Sequence, residues 1–101
     1  MKKKQYSKKN AKSLYEAMLH INNKKEASQF LKDLCTPAEI RAIEERWLIV
    51  QLLHNTDLSY RQLNELTGVS TTTIGRVARF LKDENNKGYR VILDRINDET
   101  T

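Results

Sequence analysis

The chain has 101 residues, a net charge of +5 and a single cysteine. That length supports one domain with one modest core. One cysteine excludes an internal disulfide, which makes the cytoplasm the expected compartment. No apolar run approaches the roughly 18 residues of a membrane span and no signal-peptide pattern opens the chain, so no membrane partner is expected.

One Pro and three Gly leave little punctuation, and alternating β-branched runs are absent, so the chain reads as all-α. The charge is uneven. Residues 1–12 hold six Lys and no acid, so the remainder, with 12 basic and 13 acidic residues, balances at −1. The lysine-rich start reads either as an arm that follows phosphates and anionic surfaces or as a solubilising tail. Residues 1–9 are expected to be a basic flexible tail, 10–97 a single helical domain and 98–101 a frayed end.

A first helix is predicted from about Asn10 to Ile21, with Leu14, Ala17, Met18 and Ile21 on one face. Asn22 and Asn23 break it. Asn23 with Glu26 makes a cap for a second helix to Cys35, whose stripe is Ala27, Phe30, Leu31 and Leu34. Cys35 is expected on the buried face. Both stripes read as core rather than as a cofactor site. Thr36-Pro37-Ala38-Glu39 then starts a long helix to about His54, with Thr36 as cap, Pro37 at the first helical position and Glu39 closing a capping box. From Trp47 to Leu53 that helix is apolar nearly all round. Such a helix is buried on more than one side, and in so small a chain the second surface points to another copy.

Asn55, Thr56 and Asp57 lead into a helix-turn-helix predicted over 59–82. Leu63, Leu66, Val69, Ile74, Val77 and Leu81 supply its apolar positions. Ser59 caps the first helix with Gln62 completing the box, and Ser70 caps the second. Gly68 lies between them, where a positive φ is needed. Small residues are usual near the fifth position of such units, and Asn64 stands there instead. The second helix exposes Thr71, Thr72, Thr73, Arg76 and Arg79. Three consecutive threonines are poor helix formers for a solvated face. Short hydroxyl residues and Arg suit a helix lying in a DNA major groove, where they meet base edges and phosphates. The bland alternative is a polar face on an ordinary helical hairpin. The polar stretch 83–88 reads as a loop or a loose helical turn. Tyr89, Val91, Ile92, Leu93 and Ile96 form a last helix that must dock on its own core or on a partner, and Asn97–Thr101 is expected to fray.

Catalytic constellations are absent. His20 and His54 have no partners at metal-ligand spacing. No glycine-rich phosphate loop or nucleophile elbow occurs. Glu44-Glu45 lies beside Arg41 and Arg46 on a helix, where adjacent positions do not face one site. Neither an enzyme, a cofactor nor a metal is expected.

Thr36-Pro37-Ala38-Glu39, Arg46, the apolar long helix, Ser59-x-Arg61-x-Leu63, Gly68 and Thr73-Ile74-x-Arg76 resemble the Trp repressor superfamily. The string SxxTIxRVxRxL followed by Gly88-Tyr89 is closer to its YerC/YecD-type branch. The superfamily match spans about Thr36 to Phe80 and the branch match reaches Ile96. The resemblance implies six helices, an intertwined homodimer and two helix-turn-helix units on one double-stranded operator. It implies that Ser59, Arg61, Ser70, Thr71, Thr72, Thr73, Arg76 and Arg79 face DNA.

It also implies a ligand site. Thr36, Arg46 and Arg76 match the threonine and the two arginines that hold tryptophan in Trp repressor. Val77 and Phe80 stand where the family has a glycine and a serine. Valine adds branching where the backbone must come close, and phenylalanine removes a hydroxyl and fills volume. Free tryptophan is therefore not the expected effector. Either Phe80 fills the slot and DNA binding is constitutive, or an unidentified small molecule binds a reshaped pocket. The alternative for Arg46 is an ion pair with Glu44, Glu45 or a partner chain. The principal expectation is a homodimeric, sequence-specific transcriptional repressor. The alternatives are an architectural protein that binds DNA mainly by charge and a sensor of a small ligand.

Overall fold

The computed structural model describes residues 7–83 and 85–99. Among them are six α-helices and no strand: α1 (Leu14–Met18), α2 (Lys24–Leu34), α3 (Pro37–Asn55), α4 (Tyr60–Thr67), α5 (Thr71–Lys82) and α6 (Gly88–Glu99). None is long and apolar enough to cross a membrane. The chain divides into two compact units, one ending at Pro37 and one beginning at Ala38, where the sequence reading takes 10–97 as one domain.

The first unit departs from expectation at its start. Of the lysine-rich tail, residues 1–6 lie outside the described residues, and Lys8–Asn10 forms one turn of 3-10 helix. The helix expected from Asn10 to Ile21 is shorter at both ends. Ser13 captures the chain first, its hydroxyl accepting from Glu16 N at 3.1 Å, so α1 starts at Leu14. Past Met18 the amides of Leu19, His20 and Ile21 bond to carbonyls three residues back, which tightens and ends the turn. In α2, Asn23 Oδ1 accepts from Glu26 N at 2.9 Å while Glu26 Oε1 accepts from Asn22 N at 3.0 Å. That is the expected cap, with the glutamate reaching one residue further back. Cys35 is not on a buried helical face; it is the extended residue after α2 and half-buried. Neither α1 nor α2 contains a buried residue.

The second unit carries the core. Ile49 and Val50 of α3, Leu63 of α4, Val69, Ile74, Val77 and Leu81 of the next stretch and Leu93 of α6 form one buried cluster, ringed by Trp47, Leu52, Leu53, Leu58 and Tyr89. Five of the six apolar positions expected in the helix-turn-helix belong to it. Leu66 does not: it is 65% exposed. The expected fraying after Ile96 is also corrected. α6 continues to Glu99, and Asn97 Nδ2 lies 3.1 Å from His54 Nε2, joining the ends of α6 and α3. Thr100 and Thr101 lie outside the described residues.

Candidate nucleic-acid interface

The interface is built from α4, a three-residue turn and α5. Ser59 starts α4 with a complete capping box: its hydroxyl accepts from Gln62 N at 3.1 Å, and Gln62 Oε1 accepts from Ser59 N at 2.8 Å. Gly68 ends α4 with φ of 76°, its amide donating to Asn64 O at 2.8 Å. Left-handed backbone here is what turns the chain, and glycine adopts it without a Cβ penalty. Two side chains then fix the turn. Thr67 Oγ1 donates to Leu63 O at 2.7 Å and accepts from Val69 N at 3.1 Å. Asn64 Nδ2 donates to Val69 O at 2.9 Å. The residue that looked out of place in the sequence thus spans the turn and ties α4 to the carbonyl just before α5. Its bond partner lies five residues on, beyond the reach of a local capping pattern.

Ser70 opens α5, accepting from Thr73 N at 3.1 Å and donating to Thr73 Oγ1 at 3.1 Å. Thr73 is half-buried, so this pair holds the helix start rather than presenting free hydroxyls. The buried side of α5 is Ile74, Val77, Ala78 and Leu81. Thr71, Thr72, Arg76 and Arg79 are exposed. Steps of one, four and three residues keep them on one side of the helix. Arg61 is also exposed and is paired with Glu65, Nε to Oε1 at 3.2 Å. Of the eight residues expected to face DNA, the structure thus gathers four on one outer surface of α5, leaves Arg61 on α4, and uses Ser59, Ser70 and Thr73 in caps.

The far end of α5 is held by a group the sequence reading missed. Arg90 Nε donates to Leu81 O at 2.9 Å and its Nη2 to Lys82 O at 3.2 Å. The last carbonyls of a helix have no partner within it, and a guanidinium fork supplies two.

Arg46, Arg76, Val77 and Phe80, expected to hold a ligand, line one cavity of about 670 Å³. Thr36 is not part of its lining. Trp47, Asn86, Lys87, Gly88, Tyr89 and Ile92 complete the walls, with no carboxylate among the lining residues. The Arg76 guanidinium lies 4.5 Å from the Phe80 ring centre and that of Arg79 5.5 Å, within the range of cation–π attraction. Phe80 therefore supports the two arginines and leaves a space of small-ligand size beside it.

A helical chain whose helix-turn-helix exposes hydroxyls and arginines on its second helix has the form of a DNA-binding regulator. The family model for Trp repressor protein matches residues 9–97. The uncharacterized protein YerC of Bacillus subtilis is 33% identical over 88 residues, covering 87% of this chain and 83% of that protein. A crystal structure of a candidate Trp repressor from Staphylococcus aureus superposes with a TM-score of 0.75 at 37% identity, covering 83% of this chain and 82% of that one. A TrpR-like protein from Eubacterium eligens superposes with a TM-score of 0.75 at 34% identity, over 83% of this chain and 84% of its own. The chain belongs to the Trp repressor family.

Proposed function

We propose that the chain is a sequence-specific transcriptional regulator, a repressor acting in the cytoplasm as a homodimer on double-stranded DNA, with no enzymatic activity. The observation that carries this reading is the outer face of α5. Thr71, Thr72, Arg76 and Arg79 project from a helix locked at one end by Asn64 and Ser70 and at the other by Arg90. Side chains on a helix held that firmly can select among base edges, because they lose little freedom on docking. The residues read by this proposal are Thr71, Thr72, Arg76 and Arg79, with Ser59, Ser70 and Thr73 near phosphates at the two helix starts and Arg61 on the backbone beside them. The test is selection of bound duplexes from a random pool at low and near-physiological salt. An inverted repeat enriched at both salts is expected, with half-sites about one helical turn apart. Arg76→Ala and Thr72→Ala are each expected to erase that preference. Enrichment that carries no motif and vanishes as salt rises would leave only charge-driven binding.

The cavity supports a second reading, that a small effector tunes this binding. Arg46, Arg76 and Lys87 around Trp47, Phe80 and Tyr89 suit an anionic molecule with a flat apolar body. Val77 and Phe80 argue against tryptophan itself. Repeating the selection with a panel of aromatic carboxylates present tests this; identical enrichment with and without every member would remove it.

A further inference from the structure

Gly75 lies in the middle of α5, where glycine is the least favourable residue after proline. Nothing among the described residues requires it there. A Cβ built on Gly75 meets no atom within 4 Å, and its φ is not in the left-handed region. It is not on the buried side of α5, which Ile74, Val77, Ala78 and Leu81 occupy. It stands four residues after Thr71 and four before Arg79, and adjoins Arg76. Neighbours at that spacing form one ridge of a helix. Gly75 is itself half-buried, and the missing side chain lies on the outer arc of α5 between the exposed Thr71 and Arg79.

We propose that Gly75 is a specificity-determining residue: its bare backbone lets α5 seat deeply in the major groove, so that Thr71 and Thr72 reach base edges. This rests on the DNA-reading function above and deepens it. The dimensions give the reason. An α-helix with its side chains is about 10–12 Å across, and the major groove of B-DNA is about 12 Å wide and 8.5 Å deep. A helix of full girth fits with no slack. Threonine side chains are short, so they contact bases only if the backbone between them comes close. A glycine between the exposed positions, with Thr71 and Thr72 one turn before it and Arg79 one turn after it, gives that approach. The longer Arg76 and Arg79 still reach guanine or phosphate from the same depth.

The experiment compares wild type with Gly75→Ala and Gly75→Gln, both better helix formers than glycine. Each is expected to raise the thermal midpoint by about 2–5 °C. Gly75→Ala is expected to weaken binding to the selected duplex about fivefold or more, and Gly75→Gln further, as packing excess accumulates at a close contact. Binding to mixed-sequence duplex should change less than twofold to threefold, since phosphate contacts tolerate a shallower pose. Stability and selective binding thus move in opposite directions, which an intrachain role does not produce. Wild-type binding by both variants overturns the proposal while leaving the regulator reading intact. A lowered midpoint accompanying the lost binding overturns it too, because Gly75 would then serve the chain's own packing. Weakened self-association in sedimentation, with unaltered affinity of the dimer for DNA, would assign the gap to a second copy and refute the groove assignment. A wild-type chain that selects no motif removes both proposals together.

Discussion

Arg61 and Glu65 form an exposed ion pair whose proposed effect is on binding rather than on folding. Their side chains are 89% and 62% accessible, so the pair contributes little to stability. A duplex approaching α4 changes the balance. In the proposed complex its phosphates would compete with Glu65 for the guanidinium, and the carboxylate left behind would repel them. Glu65→Gln is therefore expected to tighten duplex binding about two- to fivefold at roughly 50 mM salt and to steepen the salt dependence by up to about one ion. Glu16→Gln supplies the control, since it raises net charge equally from an exposed pair with Lys12 that belongs to the first unit. Anisotropy titrations of a labelled duplex distinguish the two. Equal effects of both substitutions would mean that only net charge matters and that Arg61 meets no phosphate.

At the scale of elements, α5 is fixed by bonds from its two neighbours, and the bond from α6 is open to direct test. Arg90→Ala removes both donors to Leu81 and Lys82 carbonyls. About 1 kcal/mol of stability should be lost, taking charged hydrogen bonds and discounting for solvent exposure. Lysine at 90 should recover only part of it, lacking the planar fork. Urea denaturation reads both, and an Arg90→Ala chain as stable as wild type would deny the clamp any role. The same elements explain what was legible in the sequence. The caps at Asn23, Ser59 and Ser70 were, because cap and recipient lie within four residues. So were Ile74, Val77 and Leu81 of α5, because their 3.6-residue period survives packing, whereas buried Ala78 was not singled out. The length of α1 was not, since Asn10 and Ser13 are both competent starts and the choice lies in local geometry. Leu66 was misplaced because α4 is eight residues long, too short for its period to separate one face from the other. Arg90 stands nine residues from Leu81, and Lys87 and Tyr89 reach the cavity through the same connection. Those placements depend on how the turn after α5 folds back, which no spacing rule encodes. The gathering of Arg46, Arg76, Val77 and Phe80 was legible only through family resemblance.

The apolar surface of the whole molecule calls for a partner. In the first unit no described residue is buried, and Leu14, Met18, Leu19 and Leu34 are 45%, 47%, 85% and 52% exposed. In the second, Ile43 and Leu48 of α3 and Val91, Ile92 and Ile96 of α6 are between 38% and 45% exposed. Polar burial is not the obstacle, since no described buried side-chain polar atom is left unsatisfied. Apolar area is the unbalanced quantity, at about 25 cal/mol for each Å² left in water. On the homodimer proposed above, a second copy of the chain would satisfy it without any other molecule, and a two-fold dimer would also set two α5 helices to face two half-sites. Sedimentation at micromolar concentration is expected to give twice the chain mass, with a thermal midpoint that rises with protein concentration. Leu19→Asp and Leu34→Asp, which alter exposed positions rather than the core, are expected to yield monomer with a lower midpoint. If the substituted chains remained dimeric, α1 and α2 would lie outside the interface. If wild type stayed monomeric at tens of micromolar, the symmetric operator would lose its basis, and each α5 would read a single half-site alone.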